Sequence, residues 1–470
     1  MCVRSSRRFA NATTPDGDVV NPHVFRQYDV RGHAERDFDD GVVRALGLSL
    51  GTFYSKRGLR RVAVGRDCRL SSPRLHEALC AGLHETGLHV VDIGIGPTPL
   101  LYFAVHDLDL DGGIQITGSH NPPDENGFKM MVGKGSLYGD DIVELRTVME
   151  NEAFHRALGG TLEMVDPTPA YVKKTAADIQ LGRRDIRFAI DAGNGAGGPL
   201  ALETMKALGL NPVALLCEMD GTFPVHHADP TEPETLEMLK ERVLEDGLEL
   251  GFAYDGDADR VGVIDARGEV IWGDKLMIIL SRALLAKHPG ATIIGEVKCS
   301  QTMYDDIETH GGRGVLWKTG HSLIKTKMKE ENALLAGEMS GHIFFADRYY
   351  GYDDAIYATA RILEIMSHSD LPLHDMLSDV PETFATPEIR VDCDDARKFD
   401  LVQQVVDHYR LTHELVDIDG ARIQFDGGWA LVRASNTQPV LVLRFEADSE
   451  QQLTAIRSEV ESVLEHFRDG

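Results

Sequence analysis

The chain has 470 residues, with 75 acidic side chains against 48 lysines and arginines and a formal charge of −27 at pH 7. At roughly 100–200 residues per domain this is enough chain for three or four domains with real cores. Its 43% hydrophobic and 26% charged residues are ordinary for a globular protein. Disorder throughout, a collagen-like chain and a general nucleic-acid binder are excluded, the last because this field repels a polyanion. An anion can bind only at a focused positive site. No stretch reaches the roughly 18 uninterrupted apolar residues of a membrane helix, so no membrane partner is expected. Residues 1–20 carry Arg4, Arg7 and Arg8 without the apolar core of a signal peptide, and read as a disordered tail. Cys2, Cys68, Cys80, Cys217, Cys299 and Cys393 lie far apart with no CxxC spacing. That argues against a zinc site or disulfide framework and fits a reducing cytoplasm.

In chain order, apolar runs alternate with helix-periodic ones. Arg61 to Asp67 reads as a strand entering a loop, Leu75 to Gly87 as a helix with a glycine C-cap, and Val90 to Ile95 as a strand. Ile186 to Asp191 predicts a strand opening onto Gly193-Asn-Gly195, followed by a helix over Pro199 to Leu208. Ala291 to Val297 repeats the pattern, with a helix over Ser300 to Gly311. Strand, Gly- or Asp-rich loop, helix is the grammar of α/β layers whose chemistry sits on loops beyond strand ends. The last segment differs: a helix over Ala396 to Tyr409, strands around Ile423 and Leu431, a strand Val440 to Phe445 and a closing helix Ser449 to Phe467 read as α+β. Pro-marked and turn-marked joints divide the chain into 21–165, 166–267, 268–381 and 382–470, with Asp379 to Glu382 the candidate hinge.

Four loops carry residues able to do chemistry. In Thr117-Gly-Ser-His-Asn-Pro-Pro123, Gly118 is expected to take unusual backbone angles and the two prolines to stiffen the end of the loop, holding out the Ser119 hydroxyl as a nucleophile or phosphate carrier. An ordinary polar turn is the competing reading, and for Lys129 a solvated surface lysine. In Tyr254-Asp-Gly-Asp-Ala-Asp-Arg260, Asp255, Asp257 and Asp259 converge only if a cation cancels their repulsion. All-oxygen ligation indicates Mg²⁺ or Ca²⁺. An EF-hand fails, because Arg260 and Ala266 stand where it needs Gly and Glu. In Gly337-Glu-Met-Ser-Gly-His342, the Glu338 carboxylate matches a vicinal diol, Ser340 adds a contact and His342 is titratable near neutrality. In Arg433-Ala-Ser-Asn-Thr-Gln-Pro439, the Arg433 fork with Ser435, Asn436 and Thr437 makes an anion cradle, with a polar hairpin turn the alternative.

In order and context these loops resemble the phosphoserine, metal, sugar-binding and phosphate-binding loops of the α-D-phosphohexomutase superfamily, phosphomannomutase/phosphoglucomutase branch. Gln27-Tyr-Asp-Val-Arg-Gly32, Gly295-Glu-Val-Lys-Cys299 and Lys318-Thr-Gly-His-Ser322 match further family motifs, and the likeness spans residues 22–470. Ala258 stands where Gly is also familiar. The resemblance implies three related α/β domains with mixed sheets and a C-terminal α+β, TATA-box-binding-protein-like domain around a central cleft. It implies a mutase interconverting hexose 6-phosphate and hexose 1-phosphate, of mannose and glucose, through a phosphoserine and a hexose 1,6-bisphosphate. Ser119 would carry the phosphate and, with Asp255, Asp257 and Asp259, hold Mg²⁺. Arg31, His120 and Arg260 would steady the phosphate, and Lys129 and His342 would move protons. Tyr28, Lys298, His321, Glu338 and Ser340 would hold the sugar, and Arg433, Ser435, Asn436 and Thr437 the unreactive phosphate. The rivals are a phosphoglucosamine mutase, a Mg²⁺-dependent sugar phosphatase and a catalytically silent sugar-phosphate sensor. The expected partner is a small phosphosugar, with no nucleic acid.

Overall fold

Alternation and helical spacing decide where each element buries its side chains. The computed structural model describes residues 21–436 and 438–469; the tail 1–20 and Thr437, both noted in the sequence, lie outside the described residues. The chain packs as two compact units, one of residues up to 177 with 191–229 and 254–258, the other of 178–190, 230–253 and 259 onward.

In the first unit a mixed sheet runs Val30–His33, Glu125–Val132, Gly112–Ile116, Arg61–Arg66, His89–Ile95, Thr161–Met164. Arg61–Arg66 is parallel to both neighbours, while Glu125–Val132 is antiparallel to both of its own. Ile114, Ile116, Phe128 and Met130 turn to one face and meet Val42, Leu46, Leu50 and Phe53 of helix Asp40–Lys56, and Leu75, Leu79 and Leu83 of helix Ser72–Glu85. Those helix positions recur every three or four residues, the period that puts them on one stripe. Lys129 and its cross-strand partner Gln115 therefore share the opposite face.

In the second unit, Val270–Ile271, Val261–Asp265, Leu250–Tyr254 and Phe188–Asp191 lie in that order in one sheet. Another runs Arg313–Trp317, Thr292–Glu296, Leu335–Gly337, Ile343–Phe345, parallel except for the last pair. The C-terminal sheet is antiparallel: Phe384–Ala385, Val440–Ala447, Gly428–Ala434, Ala421–Phe425, Leu415–Val416, with Ile389–Asp392 also on Val440–Ala447. Helices Lys398–Tyr409 and Glu450–Asp469 cover it through Val402, Val405, Val406, Ile456, Val460 and Leu464. This is the α+β segment expected from the sequence.

Element limits differ from expectation by a few residues. The helix expected to end at Gly87 ends at Glu85, with Thr86 as its C-cap. The strand begun at Val440 runs on to Ala447 because its residues stay buried on both faces. The described cysteines, Cys68, Cys80, Cys217, Cys299 and Cys393, are free thiols. Among the described residues no helix is long and apolar enough to cross a membrane.

Candidate active site

Ser119 follows the strand Gly112–Ile116 and is 2% exposed. Its φ is +50°, the left-handed region, whereas Gly118 is not among the positive-φ glycines. The unusual backbone expected at Gly118 therefore falls on the serine itself. Gly118 is instead a matter of room, since a Cβ there would sit 2.4 Å from the Arg69 Cζ. The Ser119 hydroxyl donates to Asp255 Oδ2 at 2.7 Å and lies 3.1 Å from His120 Nδ1. An alcohol beside a carboxylate and an imidazole is poised to lose its proton when it acts as a nucleophile. Arg31 reaches the same loop through Asn121 Oδ1, at 3.1 Å, while its Nε pairs with Asp29 at 2.5 Å. Tyr28 is half-buried just before the strand Val30–His33.

Asp255, Asp257 and Asp259 are wholly buried alternate residues of the loop after Leu250–Tyr254, and an oxygen of each lies within 4.8 Å of the others. Ala258 reaches this conformation at φ +53°. Lys129 Nζ is 2.7 Å from Asp257 Oδ2, and the Thr98 hydroxyl donates to the same oxygen. Asp257 Oδ1 is buried with no hydrogen-bond partner. Buried acids of this number need a compensating charge, and Lys129 supplies one. The orphaned oxygen in a ring of hard donors fits a further cation. Lys129 is thus no solvated lysine.

The sugar-loop residues gather in the second unit. The Glu338 carboxylate accepts from Gly320 N at 2.7 Å and lies 2.5 Å from His342 Nδ1, with Ser340 Oγ 3.4 Å away. His342 Nε2 is 3.2 Å from Asp259 Oδ1 and 3.3 Å from Arg260 Nε. Burial works against a charged His342, but Asp259, and then Glu338, outweigh it and the opposition of Arg260, so its pKa is raised. Burial likewise opposes an ionised Glu338, and the His342 imidazolium reverses that effect and lowers its pKa. His321 stacks on His342 with ring centroids 5.7 Å apart. Lys298, though buried, keeps a raised pKa because Glu296 and Glu388 face it, the latter at 3.0 Å. Arg433 lies on the strand Gly428–Ala434, not in the turn after it, and its guanidinium holds Asp419 at 3.1 and 3.4 Å. Ser435 Oγ caps the turn by accepting from Gln438 N at 3.2 Å, and Asn436 is half-buried.

Sequence reasoning missed Thr98, Arg69, Asp419, Glu388 and the Asp353–Lys325 pair at 2.9 Å. The signal for Arg69 was only its place in the Arg66-Asp-Cys-Arg69 loop beyond a strand end.

Four family models match in chain order: phosphoglucomutase/phosphomannomutase alpha/beta/alpha domains I, II and III over residues 22–156, 169–268 and 272–384, and the C-terminal domain over 388–463. A phosphomannomutase/phosphoglucomutase of Pseudomonas putida is 44% identical over 92% of this chain and 94% of its own. A phosphoglucomutase of Neisseria gonorrhoeae is 40% identical, covering 95% and 97% of the two chains. A crystal structure of a phosphoglucomutase/phosphomannomutase family protein from Burkholderia thailandensis superposes with a TM-score of 0.91 at 39% identity, over 96% of this chain and 99% of that one. The chain belongs to the phosphoglucomutase/phosphomannomutase family of the α-D-phosphohexomutase superfamily, as its loops led one to expect.

Proposed function

We propose that the protein is a cytoplasmic phosphohexomutase that interconverts hexose 6-phosphate and hexose 1-phosphate, with mannose and glucose phosphates as substrates. The carrying observation is the Ser119 hydroxyl 2.7 Å from Asp255, in a loop group that also holds the Lys129–Asp257 pair. Ser119 carries the phosphoryl group and returns it to the other end of a hexose 1,6-bisphosphate. Asp255, Asp257 and Asp259, with Ser119, would hold Mg²⁺. Mg²⁺, when bound, offsets charge on the transferring phosphoryl group. Asp255 and His120 take up the proton of the Ser119 hydroxyl. Arg31 and Arg260 supply positive charge to the reacting phosphate. Lys129 and His342 are the proposed proton carriers for the sugar hydroxyl. Tyr28, Lys298, His321, Glu338 and Ser340 orient the sugar. Arg433, Ser435 and Asn436 bind the phosphate that does not react, with Thr437 included from sequence alone.

Two measurements test this together. Mass spectrometry of the purified protein is expected to find phosphate on Ser119. Turnover of mannose 1-phosphate and glucose 1-phosphate is expected to exceed that of glucosamine 1-phosphate. A glucosamine preference would move the protein to the phosphoglucosamine branch, and steady release of inorganic phosphate without Ser119 would make it a phosphatase.

A further inference from the structure

Arg69 has a side chain almost closed to solvent, at 1%, yet it touches none of the reacting groups of the site through their side chains. Its guanidinium is instead spent on backbone. One terminal nitrogen donates to Ser119 O at 2.8 Å and Asn121 O at 2.6 Å, the other to Glu125 O at 2.9 Å and to Pro122 O. Asp67 Oδ2 lies 3.3 Å from its Nε and also accepts from Gly118 N at 3.1 Å. The other Asp67 oxygen accepts from Arg69 N at 3.0 Å and Ser72 Oγ at 2.6 Å. The Phe223 ring stands 5.2 Å from the guanidinium carbon. Two oppositely charged side chains from one loop thus grip a second loop at its carbonyls and at an amide.

A serine at φ +50° costs on the order of 1 kcal/mol or more, and persists only where its surroundings over-determine it. The four carbonyl bonds use both terminal nitrogens of the fork, a geometry a lysine ammonium cannot reproduce. We infer that Arg69 is a positioning residue of the transfer reaction, fixing the left-handed backbone of Ser119 and thereby the direction of its hydroxyl. The inference rests on the reading of Ser119 as the phosphate carrier.

The test compares Arg69→Met and Arg69→Lys with the wild type, with kinetics normalised to the folded fraction from circular dichroism. Misplacing a reacting group by about 1 Å costs about a hundredfold, so kcat in Arg69→Met falls by about that factor while KM stays within about threefold. Arg69→Lys is expected to fall nearly as far, and millimolar guanidinium to restore part of the Arg69→Met activity. Phosphate occupancy of Ser119 after incubation with glucose 1,6-bisphosphate falls in parallel. Wild-type kcat in either variant overturns the inference, as does a loss that merely tracks the folded fraction. Gly118→Ala, which drives a methyl onto the guanidinium, provides the second variant: a kcat loss without guanidinium rescue supports the inference, and unchanged kinetics overturn it. Ser119→Ala separates the two readings. Full turnover in that variant removes the phosphoserine reading, whereas an inactive Ser119→Ala beside a fully active Arg69→Met removes only the role of Arg69.

Discussion

Lys129 Nζ lies 2.7 Å from Asp257 Oδ2, and both side chains are closed to water, at 5% and 0% exposure. The pair sits on the sheet face that the apolar cluster leaves to Gln115 and Lys129, so a buried cation is built into a strand otherwise made of Phe128, Met130 and Met131. Removing one partner strands the other charge. Lys129→Met is expected to destabilise the metal-free protein by about 3–5 kcal/mol, and the double variant with Asp257→Asn to recover most of that loss. Urea unfolding in EDTA measures both; equal stability of Lys129→Met and wild type would sink the argument.

Divalent metal is expected to stabilise the native state through the three aspartates. At about a hundred times its dissociation constant, a bound ion adds about 2.7 kcal/mol to the unfolding free energy. Thermal melts with and without Mg²⁺ should show this shift in the wild type and lose it in Asp257→Asn, whose Oδ1 is the orphaned acceptor. An undiminished shift in the variant would place the ion elsewhere.

Arg433 is held by Asp419 through two of its nitrogens, so its fork is already aimed and planar. Arg433→Lys keeps the charge but loses the two-point grip. We expect KM for the sugar phosphate to rise about tenfold with a smaller change in kcat, the mark of an interaction made equally in ground and transition states. Steady-state kinetics decide; a kcat collapse at constant KM would assign Arg433 to the reacting phosphate instead.

His226 presents both ring nitrogens to acceptors: Nδ1 is 2.9 Å from His227 O, and Nε2 is 3.1 Å from Asp191 Oδ2. The Asp191 hydrogen bond outweighs burial and raises its pKa above the usual 6.5. Because the folded value is the higher one, the stabilisation is fully present below pH 6.5 and is lost as pH rises through the raised value. The stability difference between wild type and His226→Gln, followed from about pH 5 to pH 9, should shrink with rising pH. A difference that grows instead would contradict the pairing.

Ala258 occupies a left-handed conformation at φ +53° within the aspartate loop. A Cβ there costs about 1 kcal/mol relative to glycine, so Ala258→Gly is expected to stabilise the fold by up to about that amount. Chemical denaturation measures it, and a destabilised variant would show that the methyl packing of Ala258 outweighs the strain.

Much of this molecule was legible because its chemistry is carried by residues whose types are scarce and whose spacing is short. Asp255, Asp257 and Asp259 alternate within one loop, and Ser119 stands out between Gly118 and His120. What escaped was long-range pairing. Glu388 meets Lys298 across 90 residues, and Asp419 meets Arg433 across 14, distances over which no periodicity points from one to the other. Arg69 escaped for another reason: it works through carbonyls, which every residue has, so its targets leave no trace in side-chain identity. The strained serine escaped too, because glycine is the usual tenant of positive φ, and here the glycine is needed for space.

The left-handed backbone at position 119 also restricts which alcohol can serve there. Threonine offers the same oxygen, but its branched Cβ is poorly tolerated at φ +50°. Tyrosine would move its oxygen several bonds outward, away from the carboxylate that now lies 2.7 Å from the hydroxyl. The choice of the smallest hydroxyl amino acid is therefore settled by main-chain stereochemistry before reactivity is considered.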